Sequence, residues 1–266
     1  MKRLLVANVR KAGRYSEENT RRLLSAQIEN LTEVGWETED IILIGNLEFE
    51  FMGVKVTKSE MNKHCFTGSK MFAVQYVMEN DINKGDTILS SDLDIWQNVW
   101  FDEPEFKDVG ITTYSNNRLN GGSVFWKPEA KDIVDHIVKE INKGSNKEEP
   151  VINKLLYTPE YRSRVTILNN TYNVGCSGYY PRYLWAEKPI RAAHMNPTNR
   201  IAWETHRLNR DGMGAISISP RLENILRKYY NLATEISSEG KGRSAVKKKQ
   251  HEDRMNKYQR GNKNVD

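Results

Sequence analysis

The sequence predicts an α/β fold: a mostly parallel sheet flanked by helices, followed by a basic extension. Three observations point there. Short, continuous apolar runs read as buried strands, stretches of helical period lie between them, and an acidic pair follows directly after one of the runs. At 266 residues, 38% hydrophobic and 28% charged, the chain is long enough to bury one large core. None of its apolar runs approaches the ~18 residues expected of a membrane-spanning helix.

Taken in order, Arg3 to Val9 reads as a first strand. The basic-then-apolar start resembles a signal peptide, but Arg10, Lys11 and Arg14 interrupt the apolar run at once. Ser16-Glu17-Glu18 opens a helix with a capping hydroxyl and first-turn acids, and Leu23, Leu24, Gln27, Ile28 and Leu31 give it one packing stripe. Ile41–Gly45 is a second strand, continuous rather than alternating, as a parallel sheet covered on both faces requires. Phe51–Val56 is a third, lesser strand, and Ser69–Glu79 a helix.

Thr87-Ile88-Leu89 is the next strand and runs into Asp92-Leu93-Asp94. Extended backbone through these residues would put both aspartates on one face. Further strands are expected over Asp108–Tyr114, Asn120–Trp126 and Arg164–Leu168. Pro128 starts a helix with Ile133, Val134, Ile137, Val138 and Ile141 on its apolar face, and Glu148–Leu156 forms another with acids and Pro150 in its first turn. Residues 173–183 read as a turn-rich aromatic stretch, and Pro220–Ile236 as a last helix.

The net charge of +5 is unevenly placed. Residues 240–266 hold nine Lys/Arg against three acids, whereas 1–239 hold 31 against 32. The chain therefore divides into a body, 1–239, and a basic tail, 240–266, suited to a polyanion: nucleic acid or an anionic membrane surface. Two cysteines, Cys65 and Cys176, make neither a disulfide framework nor a zinc pattern, which fits a reducing, cytoplasmic setting.

Two carboxylates just past a buried strand offer hard oxygen ligands for Mg²⁺ or Mn²⁺, ions that commonly share a site with substrate phosphates. With this pair at its centre, the order of elements over residues 3–205 resembles a GT-A-type nucleotide-sugar glycosyltransferase, in the pattern of glycogenin and the bacterial galactosyltransferases. Four motifs carry the resemblance. Asp92 and Asp94 match the family's Asp-x-Asp, which binds the metal and the sugar diphosphate. Asn120-Gly121-Gly122 is similar to the segment that lines the donor-sugar pocket. Glu148-Glu149-Pro150-Val151-Ile152-Asn153 is similar to a helix start whose acid and neighbouring amide face the reacting sugar carbon, with Glu148-Glu149 standing where the family has Asp-Gln. His194 followed by Arg200 resembles a third metal ligand and a pyrophosphate-binding cation, with Pro197 where the family has glycine.

The resemblance implies Mn²⁺ or Mg²⁺, a UDP-sugar donor, catalytic roles for Glu148, Glu149 and Asn120, and metal ligation by Asp92, Asp94 and His194. Donor-binding roles follow for Asn8, Arg10, Arg14, Asp92, Gly121, Gly122 and Arg200, with Lys11 beside them. For the acceptor, the aromatic and basic run Tyr179–Trp185 and the tail suit DNA. The compact chain also resembles phage glycosyltransferases that modify 5-hydroxymethyl pyrimidine. The competing expectations are transfer to a cell-surface polysaccharide or lipid-linked glycan, with the tail on anionic lipid, and a non-catalytic nucleic-acid-binding protein.

Overall fold

The computed structural model describes residues 1–9, 16–59, 69–114, 117–144, 147–175, 185–194 and 219–228. The chain starts with strand β1 (Lys2–Ala7), helix α1 (Glu17–Val34) and strand β2 (Ile41–Gly45). Ser16 caps α1 by accepting the Asn19 N–H, and Gly35, at φ 111°, ends it in the left-handed region where glycine carries no Cβ penalty. The lesser strand expected over 51–56 is a hairpin, β3 (Glu50–Phe51) and β4 (Val54–Lys58). Its two turn residues, Met52 and Gly53, both take positive φ, which reverses the chain inside what reads as one run.

Helix α2 (Ser69–Glu79) leads to β5 (Ile88–Ser91) and the short β6 (Ile95–Gln97). Next come β7 (Val109–Thr113), β8 (Leu119–Trp126), α3 (Lys131–Asn142), α4 (Glu148–Leu156) and the single turn α5 (Pro159–Arg162). Strands β9 (Val165–Ile167), β10 (Val174–Gly175) and β11 (Ala192–His194) follow, and α6 (Pro220–Lys228) closes the described chain. Val174–Gly175 thus pair as a strand where turns were expected, and β6 and β11 have no counterpart in the sequence reading.

Eight strands form one sheet in the order β3-β4-β2-β1-β5-β8-β7-β9. The block β4-β2-β1-β5 is parallel throughout, β8 runs antiparallel between β5 and β7, and β9 returns parallel to β7. Both faces are covered. On one, Leu4, Ile42 and Ile44 pack with buried apolar residues of α2, α3 and α4. On the other, Leu5, Leu43 and Leu89 pack with Leu24, Ile28 and Leu31 of α1 and with Phe101 and Phe106. Adjacent strand residues bury toward opposite layers, so the strands read as unbroken apolar runs. At ~1.5–3 kcal/mol per fully buried large apolar side chain, these two layers are the main stabilising contribution.

A separate ribbon, β10-β11-β6, lies beside this sheet. Trp96, Val174, Ala193, Leu222 and Ile225 form its core, so α6 packs under the ribbon. Arg221 fastens the helix by donating to the carbonyls of Asn30 (3.2 Å) and Gln97 (2.9 Å), and Lys228 pairs with Glu29 at 2.7 Å.

Candidate active site

The acidic pair does not lie on extended backbone. The Asp92 N–H donates to the Gly122 carbonyl (2.8 Å), continuing the β5–β8 pairing by one step, and the Ile95 N–H then donates to the Asp92 carbonyl (3.1 Å). That turn, rather than strand alternation, brings the two carboxylates to one side, while Leu93 packs into the α1-side core. It then enters β6, whose Ile95 is the cross-strand partner of His194 on β11.

His194 therefore reaches the aspartates through strand pairing. Its Nε2 lies 3.1 Å from Asp94 Oδ1 and 4.0 Å from Asp92 Oδ2. One ligand atom from each of the three residues falls within 4.8 Å of the others. Two carboxylates and one imidazole make a donor set suited to Mn²⁺ or Mg²⁺. Burial would push the imidazole's pKa down, but the Asp94 carboxylate, helped by Asp92, outweighs it and holds His194 above its ordinary value. Gly122 makes room for the ring: a Cβ there would sit 2.9 Å from both Cε1 and Nδ1 of His194.

Behind this group sits a cation that the sequence reading missed. Lys70, from the first turn of α2 and only 6% exposed, donates to Asp92 Oδ1 (2.6 Å) and to the Gly121 carbonyl (2.5 Å). It also lies 3.0 Å from Glu148 Oε1. Burial alone would push its ammonium down; the Asp92 and Glu148 carboxylates outweigh that and hold it above the ordinary lysine value. Glu148, the first residue of α4, is 7% exposed, and its Oε2 has no hydrogen-bond partner. Burial pushes its carboxyl up to about 7, with Lys70 pulling down and Asp92 adding to the rise. A lone lysine within the otherwise apolar helix start Lys70-Met71-Phe72-Ala73-Val74 was the available signal.

Glu149, the second of the expected acids, is engaged elsewhere. Its Oε2 accepts the Tyr114 hydroxyl (2.9 Å) and its Oε1 an Arg118 N–H (2.5 Å). Asn153 lies one turn along α4; it donates to the Leu119 carbonyl and accepts the Leu119 N–H. Another turn on, Tyr157 donates to the Asn117 carbonyl. Residues at this spacing share one helix face, so α4 is stitched along the β7–β8 hairpin.

A cleft of about 460 Å³ opens over these groups, lined by Asn8, Lys70, Asp92, Asp94, Glu148, Glu149 and His194 among others. Asn8, at the end of β1, donates to Ser69 Oγ (2.6 Å) and accepts from Asn46 Nδ2 (3.2 Å). Asn120 is not part of the lining: it is buried, and its Oδ1 accepts the Gly122 N–H at 3.0 Å. Its place on the fully buried strand β8 turns the side chain onto the neighbouring backbone. Gly121 offers its carbonyl to Lys70, and Gly122 packs on His194. Arg10, Lys11, Arg14, Arg200, Tyr179–Leu184 and the tail 240–266 lie outside the described residues. Trp185 is 62% exposed.

No family model and no curated protein matches this sequence. Solved structures do match in fold. A glycosyltransferase involved in the glycosylation of the major capsid of PBCV-1 is similar with a TM-score of 0.52 and 14% identity, over 77% of this chain and 98% of that one. The glycosyltransferase GlyE of Streptococcus pneumoniae TIGR4 also gives 0.52, at 10% identity, over 87% of this chain and 63% of that one. The bifunctional glycosyltransferase WbbM gives 0.50, at 12% identity, over 85% of this chain and 51% of that one. The large, mostly parallel sheet flanked by helices is thus the GT-A fold of these glycosyltransferases.

Proposed function

We propose that this chain is a metal-dependent glycosyltransferase that moves a sugar from a nucleotide-diphosphate sugar, a UDP-sugar, to an acceptor. The observation that carries this reading is the convergence of Asp92, Asp94 and His194 at a cleft whose floor holds Lys70 and Glu148, in a chain of glycosyltransferase fold. Asp92, Asp94 and His194 would hold Mn²⁺ or Mg²⁺. A divalent ion there supplies neutralisation of the negative charge that grows on the leaving diphosphate.

Lys70 holds Asp92 by one oxygen, which leaves Oδ2 on the His194 side, and offsets part of the acidic charge of the site. Glu148 lines the cleft and is held by Lys70 through Oε1, and its carboxyl group is the one that a sugar hydroxyl of the donor would meet. Asn8, braced by Ser69 and Asn46, suits the nucleotide end of the cleft. Arg10, Arg14 and Arg200 keep their roles as phosphate-binding cations on the strength of the sequence resemblance alone.

For the acceptor, the reading is 5-hydroxymethyl pyrimidine in phage DNA. What supports it is the excess of six positive charges in residues 240–266 and the aromatic, basic run that ends at the exposed Trp185. The deciding experiment has two stages. First, UDP-glucose, UDP-galactose and UDP-arabinose are each incubated with the protein and Mn²⁺; slow release of UDP, abolished by EDTA, is expected for one of them. That donor is then supplied with hydroxymethylated DNA, and the digested nucleosides are weighed by mass spectrometry. A sugar-sized mass increase supports the acceptor reading. Transfer to a lipid-linked or surface glycan instead replaces it, and no UDP release from any donor overturns the enzyme reading.

A further inference from the structure

Strand β6 is an edge strand: β11 pairs with one side of it, and the other side faces α1. Among the described residues no strand satisfies that second edge, and two side-chain amides of α1 do so instead. Gln27 Nε2 donates to the carbonyls of Leu93 (2.6 Å) and Ile95 (3.1 Å). Asn30 then donates to the Gln97 carbonyl and accepts the Gln97 N–H, each at 2.9 Å. Ile95 and Gln97 are alternate residues of β6, so their carbonyls point along the same edge, and the Leu93 carbonyl reaches the same Gln27 amide from the turn before it. The two amides stand one helical turn apart and follow that edge as a neighbouring strand would.

Gln27 is fully buried and lies in the packing stripe of α1, where a leucine would serve helix packing as well. A primary amide carries two N–H donors. Gln27 commits both, one to the residue between the two aspartates and one to the residue that follows them. Its own Oε1 is left buried without a partner. Such an orphaned oxygen is unfavourable, and the same side chain's two donors are what it is retained for.

We propose that Gln27 is a positioning residue of the metal site: by gripping the Leu93 and Ile95 carbonyls it fixes the turn that sets Asp92 and Asp94 against His194. This rests on the proposed function only where metal is concerned, since the grip on the turn is independent of any ion.

The test compares Gln27→Met, which keeps the volume and removes both donors, with Leu31→Val, a core change on the same helix that removes no side-chain hydrogen bond. Mn²⁺ alone is titrated into each protein and followed by electron paramagnetic resonance; Gln27→Met is expected to bind it about tenfold more weakly or worse. Hydrogen–deuterium exchange of residues 92–97 in the metal-free protein is expected to accelerate in Gln27→Met, with α2 unchanged. Leu31→Val should lower the unfolding temperature and leave both readouts as in the wild type. Wild-type Mn²⁺ affinity and exchange in Gln27→Met overturn the proposal, as does an equal disturbance in Leu31→Val. Gln27→Glu, of the same length with at most one donor, replaces the methionine variant if that one does not fold. A wild type that takes up no Mn²⁺ defeats the metal reading, and the exchange arm then decides the role of Gln27.

Discussion

The His194 ring occupies the space that any side chain at Gly122 would need: a Cβ there falls 2.9 Å from two ring atoms. Gly122 is tied on both sides, its carbonyl accepting the Asp92 N–H and its N–H donating to Asn120. The ring must therefore move, and the backbone cannot. Gly122→Ala is expected to weaken Mn²⁺ binding ~10-fold or more while costing about 1–3 kcal/mol of stability. Gly121→Ala meets only ordinary contacts, 3.5 Å to Ile152 and 3.8 Å to Glu148, and is expected to bind Mn²⁺ as the wild type does. Isothermal titration with Mn²⁺ checks the pair.

Lys70→Met removes the cation between Asp92 and Glu148. Glu148 has a folded-state pKa of about 7, above its ordinary value. A raised carboxyl contributes stability in full below that ordinary value and loses it as pH climbs through the folded-state value. Without Lys70, which pulls Glu148 down, the folded value rises further, and the loss at alkaline pH grows. Metal-free Lys70→Met is expected to be destabilised by about 3 kcal/mol at pH 8, and by clearly less at pH 6. Urea unfolding at the two pH values measures this; equal losses at both would separate the two residues.

The neighbouring acids of α4 should behave differently. Glu148→Gln removes the carboxylate that faces Lys70 and the cleft, and is expected to lower transfer ~100-fold or more. Glu149→Gln keeps an acceptor for Tyr114 and Arg118, and should leave transfer within about fivefold and cost ~1 kcal/mol. Steady-state kinetics with the donor identified by UDP release decide between them, and the opposite ranking would move the reacting carbon to Glu149.

Arg164, just before the edge strand β9, joins the start of β7 to α3 by pairing with Asp108 (2.6 Å) and Asp132 (2.7 Å). The hydrogen bond from Arg164 holds the Asp132 carboxyl below its ordinary value. A lowered carboxyl stabilises above its ordinary value, and that gain disappears as pH falls through the folded-state value. Asp132→Asn is therefore expected to unfold at a lower temperature than the wild type at pH 7, with the gap closing as pH falls below ~4. Thermal unfolding followed by circular dichroism across pH 2–7 gives the comparison.

Much of the scaffold was legible because its signals are local. Helix α2 has the bounds Ser69–Glu79 expected from its apolar spacing, and α1 has its Ser16 cap and a glycine stop. The double-sided burial of β1 and β2 shows directly as unbroken apolar runs. What could not be read depends on pairing between distant residues. Strands β6 and β11 are three residues each, too short for any periodicity, and exist because Trp96 meets Ala193 across nearly a hundred residues of chain. His194 was expected near the aspartates from resemblance, and its spacing says nothing of how it would get there. Asn120 was expected at the reacting centre; it is buried, with its Oδ1 on the Gly122 N–H, an arrangement that no local signal announces. Lys70 carries no motif at all, and its role emerges only when α2, β8 and the start of α4 meet.

Because His194 arrives on a strand and not on a loop, its offset from Asp94 is quantised. Sliding β11 past β6 by a single residue would send the imidazole to the opposite surface of the ribbon, and no side-chain rotation could recover it. Insertions or deletions within Asp92–Gln97 or Ala192–His194 should therefore be ruinous even where every ligand is kept, whereas length changes beyond the ends of this short ribbon leave the ligand spacing intact.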